Sequence, residues 1–341
     1  MTDVSILGAG AFGTALAIHC SELGHRTHVW AFDEGLPDEV AAKGENAAYL
    51  PGFAVPSNVR FTNDMATALE DANLVLLAVP SGFMRSVTKK AAPHLAPDVL
   101  ITSTAKGIEQ DSLALMSEVL AETLPDHVPS ATYLSGPSFA KDVASRLPAD
   151  VSLAATDIST ARCVQEILHS PLLRVYASDD VIGVQLGGAL KNVIAVACGA
   201  AFGLGLGASA LASLMTRGLA ELARLGVALG ANPLTFLGLA GVGDLTLTCH
   251  GELSRNRQLG VQLASGKTAQ EVVSSQKAVA EGYRTAAAVH ALAQRAGVEM
   301  PISESVYRVC HQGASLREEA TRLMTRERKD ELAGIFLTRR A

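Results

Sequence analysis

The sequence predicts an α/β fold: a doubly wound parallel sheet first, then an all-helical domain. Three observations carry this. Short apolar runs alternate with helix-like segments up to about Asp180. Those runs are apolar throughout, as in a parallel sheet buried on both faces. Beyond Asp180 the texture changes to long Ala/Leu-rich stretches, punctuated by Gly226, by Gly230 before Asn232-Pro233, and by Gly297. Such glycines are helix punctuation. A chain of 341 residues is expected to form about two domains, placed at 1–185 and 186–341. No low-complexity linker separates them, so close packing and a cleft at their seam are expected.

Val4 to Leu7 reads as a strand ending at a glycine turn, Thr14 to Leu23 as a helix closed by Gly24, and Thr27 to Trp30 as a second strand. Leu74 to Val79 is apolar and stops at Pro80. Val99 to Ser103 stops near Lys106-Gly107, Thr132 to Ser135 leads into Gly136-Pro137, and Val151 to Ala155 follows. From Asn192 to Thr216 there is no charged residue, a length that could cross a bilayer. Its Ala/Gly composition and the breaks expected at Gly203, Gly205 and Gly207 favour a buried helix pair over a transmembrane segment.

Hydrophobic residues at 48% and charged residues at 18% exclude a disordered chain and allow a sizeable core. A net charge of -6 disfavours nucleic acid as a partner, because a dedicated binder carries a basic field. An anionic ligand must then be held by a few local cations. Five cysteines lack any CxxC pairing and nine histidines lack HExxH, so neither a disulfide framework nor a metal site is expected. This suits a reducing cytoplasm. Asp3, Gly8 and Gly10 argue against a signal peptide.

Gly8-Ala9-Gly10-Ala11-Phe12-Gly13 matches GxGxxG between a strand and a helix, the context that makes the pattern a dinucleotide-binding Rossmann signature. The helix N-terminus offers free N–H groups and a positive dipole end to a pyrophosphate. The carboxylate that would take a ribose 2′-hydroxyl is expected at the end of the second strand. Asp33 comes slightly late for it, so both NAD(H) and NADP(H) remain open.

Further polar islands stand at the ends of apolar runs: Lys106-Gly107, Gly136 to Lys141, Gly187 to Asn192, Gly241 to Thr248, and Ser254 to Arg257. Lys191 is the only charge between Asp180 and Arg217. A buried ammonium is costly unless paired or neutralised, and a lysine of lowered pKa is a good acid and base near neutrality. Lys106 either supports that group or holds substrate. Asp244 either pairs with Lys191 or caps a helix. Ser254 reads as an N-cap, with Arg255 and Asn256 as an anion clamp. Together these parts describe hydride transfer to a ketone, with a protein group supplying the proton.

In the order of these motifs, with Ala105-Lys106-Gly107, Ser135 to Ala140, Gly187 to Val193, Gly241 to Leu245, Ser254 to Arg257 and Glu281-Gly282-Tyr283, the sequence resembles the NAD(P)-dependent glycerol-3-phosphate dehydrogenases of the soluble bacterial type, from about Val4 to Asp330. The resemblance implies reversible reduction of dihydroxyacetone phosphate to sn-glycerol 3-phosphate, which supplies glycerophospholipid synthesis, on a Rossmann domain followed by a helical one. It implies Lys191 as proton donor and acceptor. It places Lys106, Gly136, Ser138, Asp244, Ser254, Arg255 and Asn256 at the substrate. It places Ala11, Phe12, Lys106, Ala140, Arg255, Val279 and Glu281 at the cofactor, beside Gly8, Gly10 and Gly13. Position 11 is Ala where serine is common. Phe32 stands where a basic residue or histidine often meets the adenosine end. A homodimer in the cytoplasm suits the family. The rival readings are a two-domain reductase of a 2-keto or 3-hydroxy acid, which would not need the Ser254-Arg255-Asn256 clamp, and a non-catalytic dinucleotide sensor, which would not need Lys191.

Overall fold

The structure, a computed structural model, describes residues 1–275, 280–328 and 330–331. It divides into two compact units. One comprises Met1–Lys106 and Ala114–Val181, the other Gly107–Leu113 and the chain from Ile182 onward.

The first unit is built on eight strands: β1 (Asp3–Leu7), β2 (Arg26–Trp30), β3 (Val59–Thr62), β4 (Leu74–Leu77), β5 (Leu100–Ser103), β6 (Ala131–Ser135), β7 (Ala149–Ala154) and β8 (Leu173–Ser178). Their order is β3-β2-β1-β4-β5-β6-β7-β8, so the first six follow the Rossmann order. The apolar runs feed both faces. Val4, Ile6, Leu74 and Leu76 join one core cluster, while Leu7, Val75 and Leu77 join another. Successive strand side chains point to opposite faces, so a run without polar gaps is what a covered sheet requires.

The sheet departs from expectation in two ways. β7 pairs antiparallel with β6, whereas β7 and β8 are parallel to each other. The β6–β7 connection carries only the short helix Ala140–Ala144 and returns the chain without a full crossover. Second, β3 and β8 are strands that the apolar runs did not reveal. Both lie at sheet edges, and β8 alternates buried and exposed side chains over its first four residues.

The second unit opens with the helix Val181–Gly203, followed by Gly207–Ala228, so the chain breaks at the expected glycines. Val181–Gly203 is long and apolar enough to cross a membrane, but 83% of its most apolar window is buried within the protein. The helices Asp244–His250, Arg255–Ala264, Glu281–Ala296, Pro301–Gln312 and Leu316–Met324 are among those that follow. Gly226 corrects an expectation. It lies inside the helix Gly207–Ala228, against the ring of Phe236, where a methyl group would collide. It is a packing position, not a break. Buried Glu221 accepts from the backbone N–H groups of Ile302 (2.7 Å) and Ser303 (3.1 Å), capping the helix Pro301–Gln312. Burial pushes its carboxyl up to about 7.

Candidate functional site

In the first unit the predicted residues gather at the C-terminal ends of the strands, where open α/β sheets bind ligands. Gly8 follows β1 with φ +118°, and a side chain there would meet the Ala78 carbonyl. Gly13 lies against the Gly8 carbonyl with no room for a methyl group. Gly10 differs: a methyl group on it would meet no protein atom within 4 Å. The first glycine makes the turn, the third packs helix on strand, and the second leaves open space where a pyrophosphate needs to approach. Gly10 is also the N-cap of the helix Ala11–Glu22 and has no side chain to satisfy that helix's first N–H groups. The cradle therefore fits a dinucleotide. Ala11, Phe12 and Ala140 pack together against Ala15, Ile18 and Leu50 beside the loop. Phe32, just past β2, is 81% exposed and meets Trp30 edge-on.

A second group stands at the ends of β5 and β6. Lys106 Nζ donates to the Gly136 carbonyl (2.8 Å), and Ser138 Oγ donates to the same oxygen (3.1 Å). Gly136 adopts φ +133°, and a Cβ there would collide with the Val151 Cα. Its carbonyl is thus a shared anchor for two predicted substrate residues. Ser103 and Ser135, the last residues of β5 and β6, have buried hydroxyls without a partner among the described residues. Orphaned buried hydroxyls are uncommon, and neither serine was singled out from the sequence.

In the second unit Lys191 is 5% exposed and Asp244 1%. Lys191 Nζ donates to Asp244 Oδ1 (2.5 Å) and to Thr248 Oγ1 (2.8 Å). The pairing alternative for Asp244 is thus the one observed. Gly243, not Asp244, is the N-cap of the helix Asp244–His250. Thr248 closes the island that begins at Gly241, but the sequence assigned it no role. It lies four residues after Asp244 on that helix, so both side chains share one face, and its hydroxyl also lies 2.7 Å from the Asp244 carbonyl. A single π-helical turn, Leu239–Gly243, leads into this helix. Such turns are rare and often occur at functional sites. The Gly187–Asn192 island lies inside the helix Val181–Gly203 and not at its start. Gly187 is there because the Ala240 carbonyl of the π-turn packs against it, leaving no space for a Cβ.

Ser254 caps the helix Arg255–Ala264 by accepting from Arg257 N (3.2 Å), as predicted. Arg255 is exposed at the first position of that helix. Asn256 is more constrained than an anion clamp requires. Its Nδ2 donates to Asn192 Oδ1 (2.8 Å) and its Oδ1 accepts from Gly282 N (2.8 Å). The side chain therefore ties three helices together. Glu281 is half-buried in the first turn of the helix Glu281–Ala296. Val279 lies outside the described residues. A separate apolar cavity in this unit, lined in part by Val196, Leu204, Ala210, Leu214, Val306 and Leu323, includes none of the predicted residues.

Two family models match the chain, the N-terminal part of the NAD-dependent glycerol-3-phosphate dehydrogenases over residues 3–161 and the C-terminal part over residues 180–321. A curated protein of Citrifermentans bemidjiense, named glycerol-3-phosphate dehydrogenase (NAD(P)+), is 46% identical over 329 residues, covering 96% of this chain and 98% of its own length. The chain belongs to the NAD-dependent glycerol-3-phosphate dehydrogenase family. A protein of the same name from Myxococcus xanthus is 46% identical over 336 residues, covering 97% of this chain and 99% of its own. The crystal structure of glycerol-3-phosphate dehydrogenase from Coxiella burnetii superposes with a TM-score of 0.90 at 36% identity, covering 95% of this chain and 99% of that one. Likeness at that identity and coverage extends through both units of this family member.

Proposed function

We propose that the chain interconverts dihydroxyacetone phosphate and sn-glycerol 3-phosphate with NAD(P)(H), and that Lys191 is the proton donor and acceptor. The observation that carries the proton assignment is the buried Lys191 ammonium, held by Asp244 and Thr248. The bound dinucleotide supplies the hydride. As a ketone is reduced its oxygen gains negative charge, and a nearby N–H donor both stabilises that charge and delivers the proton. In the reverse direction the neutral amine takes the proton from the hydroxyl. Asp244 and Thr248 fix the direction of the Nζ–H bonds. On this reading Gly8, Gly10, Ala11, Phe12, Gly13, Phe32, Lys106, Ala140, Arg255, Val279 and Glu281 hold the dinucleotide. Lys106, Gly136, Ser138, Ser254, Arg255 and Asn256 hold the substrate.

A steady-state assay with dihydroxyacetone phosphate, run with NADH and with NADPH, tests the reading. Oxidation of at least one nucleotide is expected. Absence of turnover with either one, while a 2-keto or 3-hydroxy acid is reduced, would transfer the chain to the rival class.

The phosphate assignment has its own test. Arg255 adds a charge-assisted fork to the free N–H groups of a helix N-terminus, a pair of features suited to a phosphate dianion. Arg255→Ala is expected to raise KM for dihydroxyacetone phosphate at least about tenfold, the size of one lost charge-assisted contact. An unchanged KM would remove Arg255 from the clamp. A cytoplasmic homodimer is the setting this reading favours. Light scattering of the purified chain checks the assembly, and a monomer's mass would count against it.

A further inference from the structure

Asp33, just past β2, carries a carboxylate that is linked to the glycine loop through Tyr49 and Asn46. Asp33 lies three residues beyond β2, slightly past the strand end where a Rossmann carboxylate is expected to meet the adenosine ribose. Two contacts fix it. Asn63 Nδ2 donates to the backbone carbonyls of Asp33 (2.9 Å) and Ala31 (2.8 Å), continuing the line of β2. The Tyr49 hydroxyl donates to the Asp33 carboxylate, and this bond is the main reason the phenol is pushed up to about 12.

Tyr49 is itself tethered to the phosphate loop. Its N–H donates to Asn46 Oδ1 (3.3 Å), and fully buried Asn46 donates to the Ala9 carbonyl (2.9 Å) and to Thr14 Oγ1 (2.8 Å). An unbroken route thus joins the middle of GxGxxG to the Asp33 carboxylate. The charged side chains from Asp33 to Glu39 have one sign. Asp33, Glu34, Asp38 and Glu39 precede the first cation of this segment, Lys43. No ion pair to Asp33 occurs among the described residues. The Lys90 ammonium lies over the Trp30 ring, 5.2 Å from its centroid. Phe32 offers an aromatic face and no charge.

We propose that Asp33 is the specificity-determining residue for the nucleotide: its carboxylate, positioned by Tyr49, accepts the ribose 2′-hydroxyl and repels a 2′-phosphate, making this chain selective for NAD(H). A fixed anion facing a phosphate dianion, with no guanidinium between them, is unfavourable. This rests on the dinucleotide reading of the glycine loop.

The test is titration of the full chain with NADH and with NADPH, followed by nucleotide fluorescence and paired with kcat/KM for each nucleotide. The wild-type chain is expected to favour NADH by at least about tenfold, and Asp33→Asn to lower that ratio by about tenfold through tighter NADPH binding, the scale of one exposed charge contact with a dianion. Tyr49→Phe is expected to lower the ratio part of the way, and the double variant to go no further than Asp33→Asn alone. Wild-type preference for NADPH would overturn the proposal. So would an unchanged ratio in Asp33→Asn, or an equal loss of both nucleotides. Failure of the wild-type chain to bind either nucleotide would instead bring down the dinucleotide reading itself.

Discussion

Lys191→Ala is expected to lower kcat for dihydroxyacetone phosphate reduction by between about a hundredfold and ten-thousandfold, the range that a positioned general acid contributes. NADH binding is expected to stay within about twofold, because the glycine loop that would hold the pyrophosphate belongs to the other unit. Lys191→Arg separates charge from proton delivery. A guanidinium keeps the positive charge but does not give up its proton near neutrality. If Lys191 served only as a fixed charge, arginine would restore much of the rate. If it is the acid, arginine is expected to remain close to alanine. Single-turnover rates with premixed NADH make the comparison, since they exclude product release. Turnover of the alanine variant at the wild-type rate would show that the proton comes from elsewhere, and Lys106, anchored on the Gly136 carbonyl, would become the first alternative.

Much of this arrangement was legible in the sequence because its signals are local. A strand–GxGxxG–helix unit is contiguous, and its three glycines do the three jobs that the spacing implies. Lys191 stood out because nothing else between Asp180 and Arg217 is charged. What the sequence hid is set by tertiary pairing. β3 and β8 lie at sheet edges, and edge strands lack the continuous apolar run that marks a buried one. The direction of β7 depends on the course of its connection and not on its composition. Gly226 read as punctuation and Gly187 as part of a polar island, yet both sit in helices where another segment presses too close for a Cβ. Thr248 needed knowledge that a helix begins at Asp244. The π-turn just before it shifts the helical phase, so no upstream periodicity could have placed the hydroxyl beside Lys191. Asp33 was visible, but its hold on the glycine loop runs through Tyr49 and Asn46, which carry no motif.

Asp244→Ala is expected to damage both stability and rate, and the two losses can be separated. Removing one partner of a buried pair leaves the other charge without compensation, which costs about 3–5 kcal/mol. Thr248 still offers an acceptor to Lys191 Nζ, so the lower end of that range is expected, read as a fall in the urea midpoint at constant slope. The rate is expected to fall as well, because the hydroxyl alone does not fix the direction of the N–H bonds. The decisive variant is the double replacement Lys191→Met with Asp244→Leu. With both charges gone and similar volume restored, the stability loss is expected to be largely recovered, because an apolar pair avoids the desolvation that the ion pair had to overcome. Activity is not expected to return. Stability regained without activity would show that the chain keeps a buried ammonium for its chemistry and not for its fold. A double variant as unstable as Asp244→Ala would mean instead that the carboxylate supports the helix Asp244–His250 independently of Lys191, and the pair would lose its place as the electrostatic centre of the reaction.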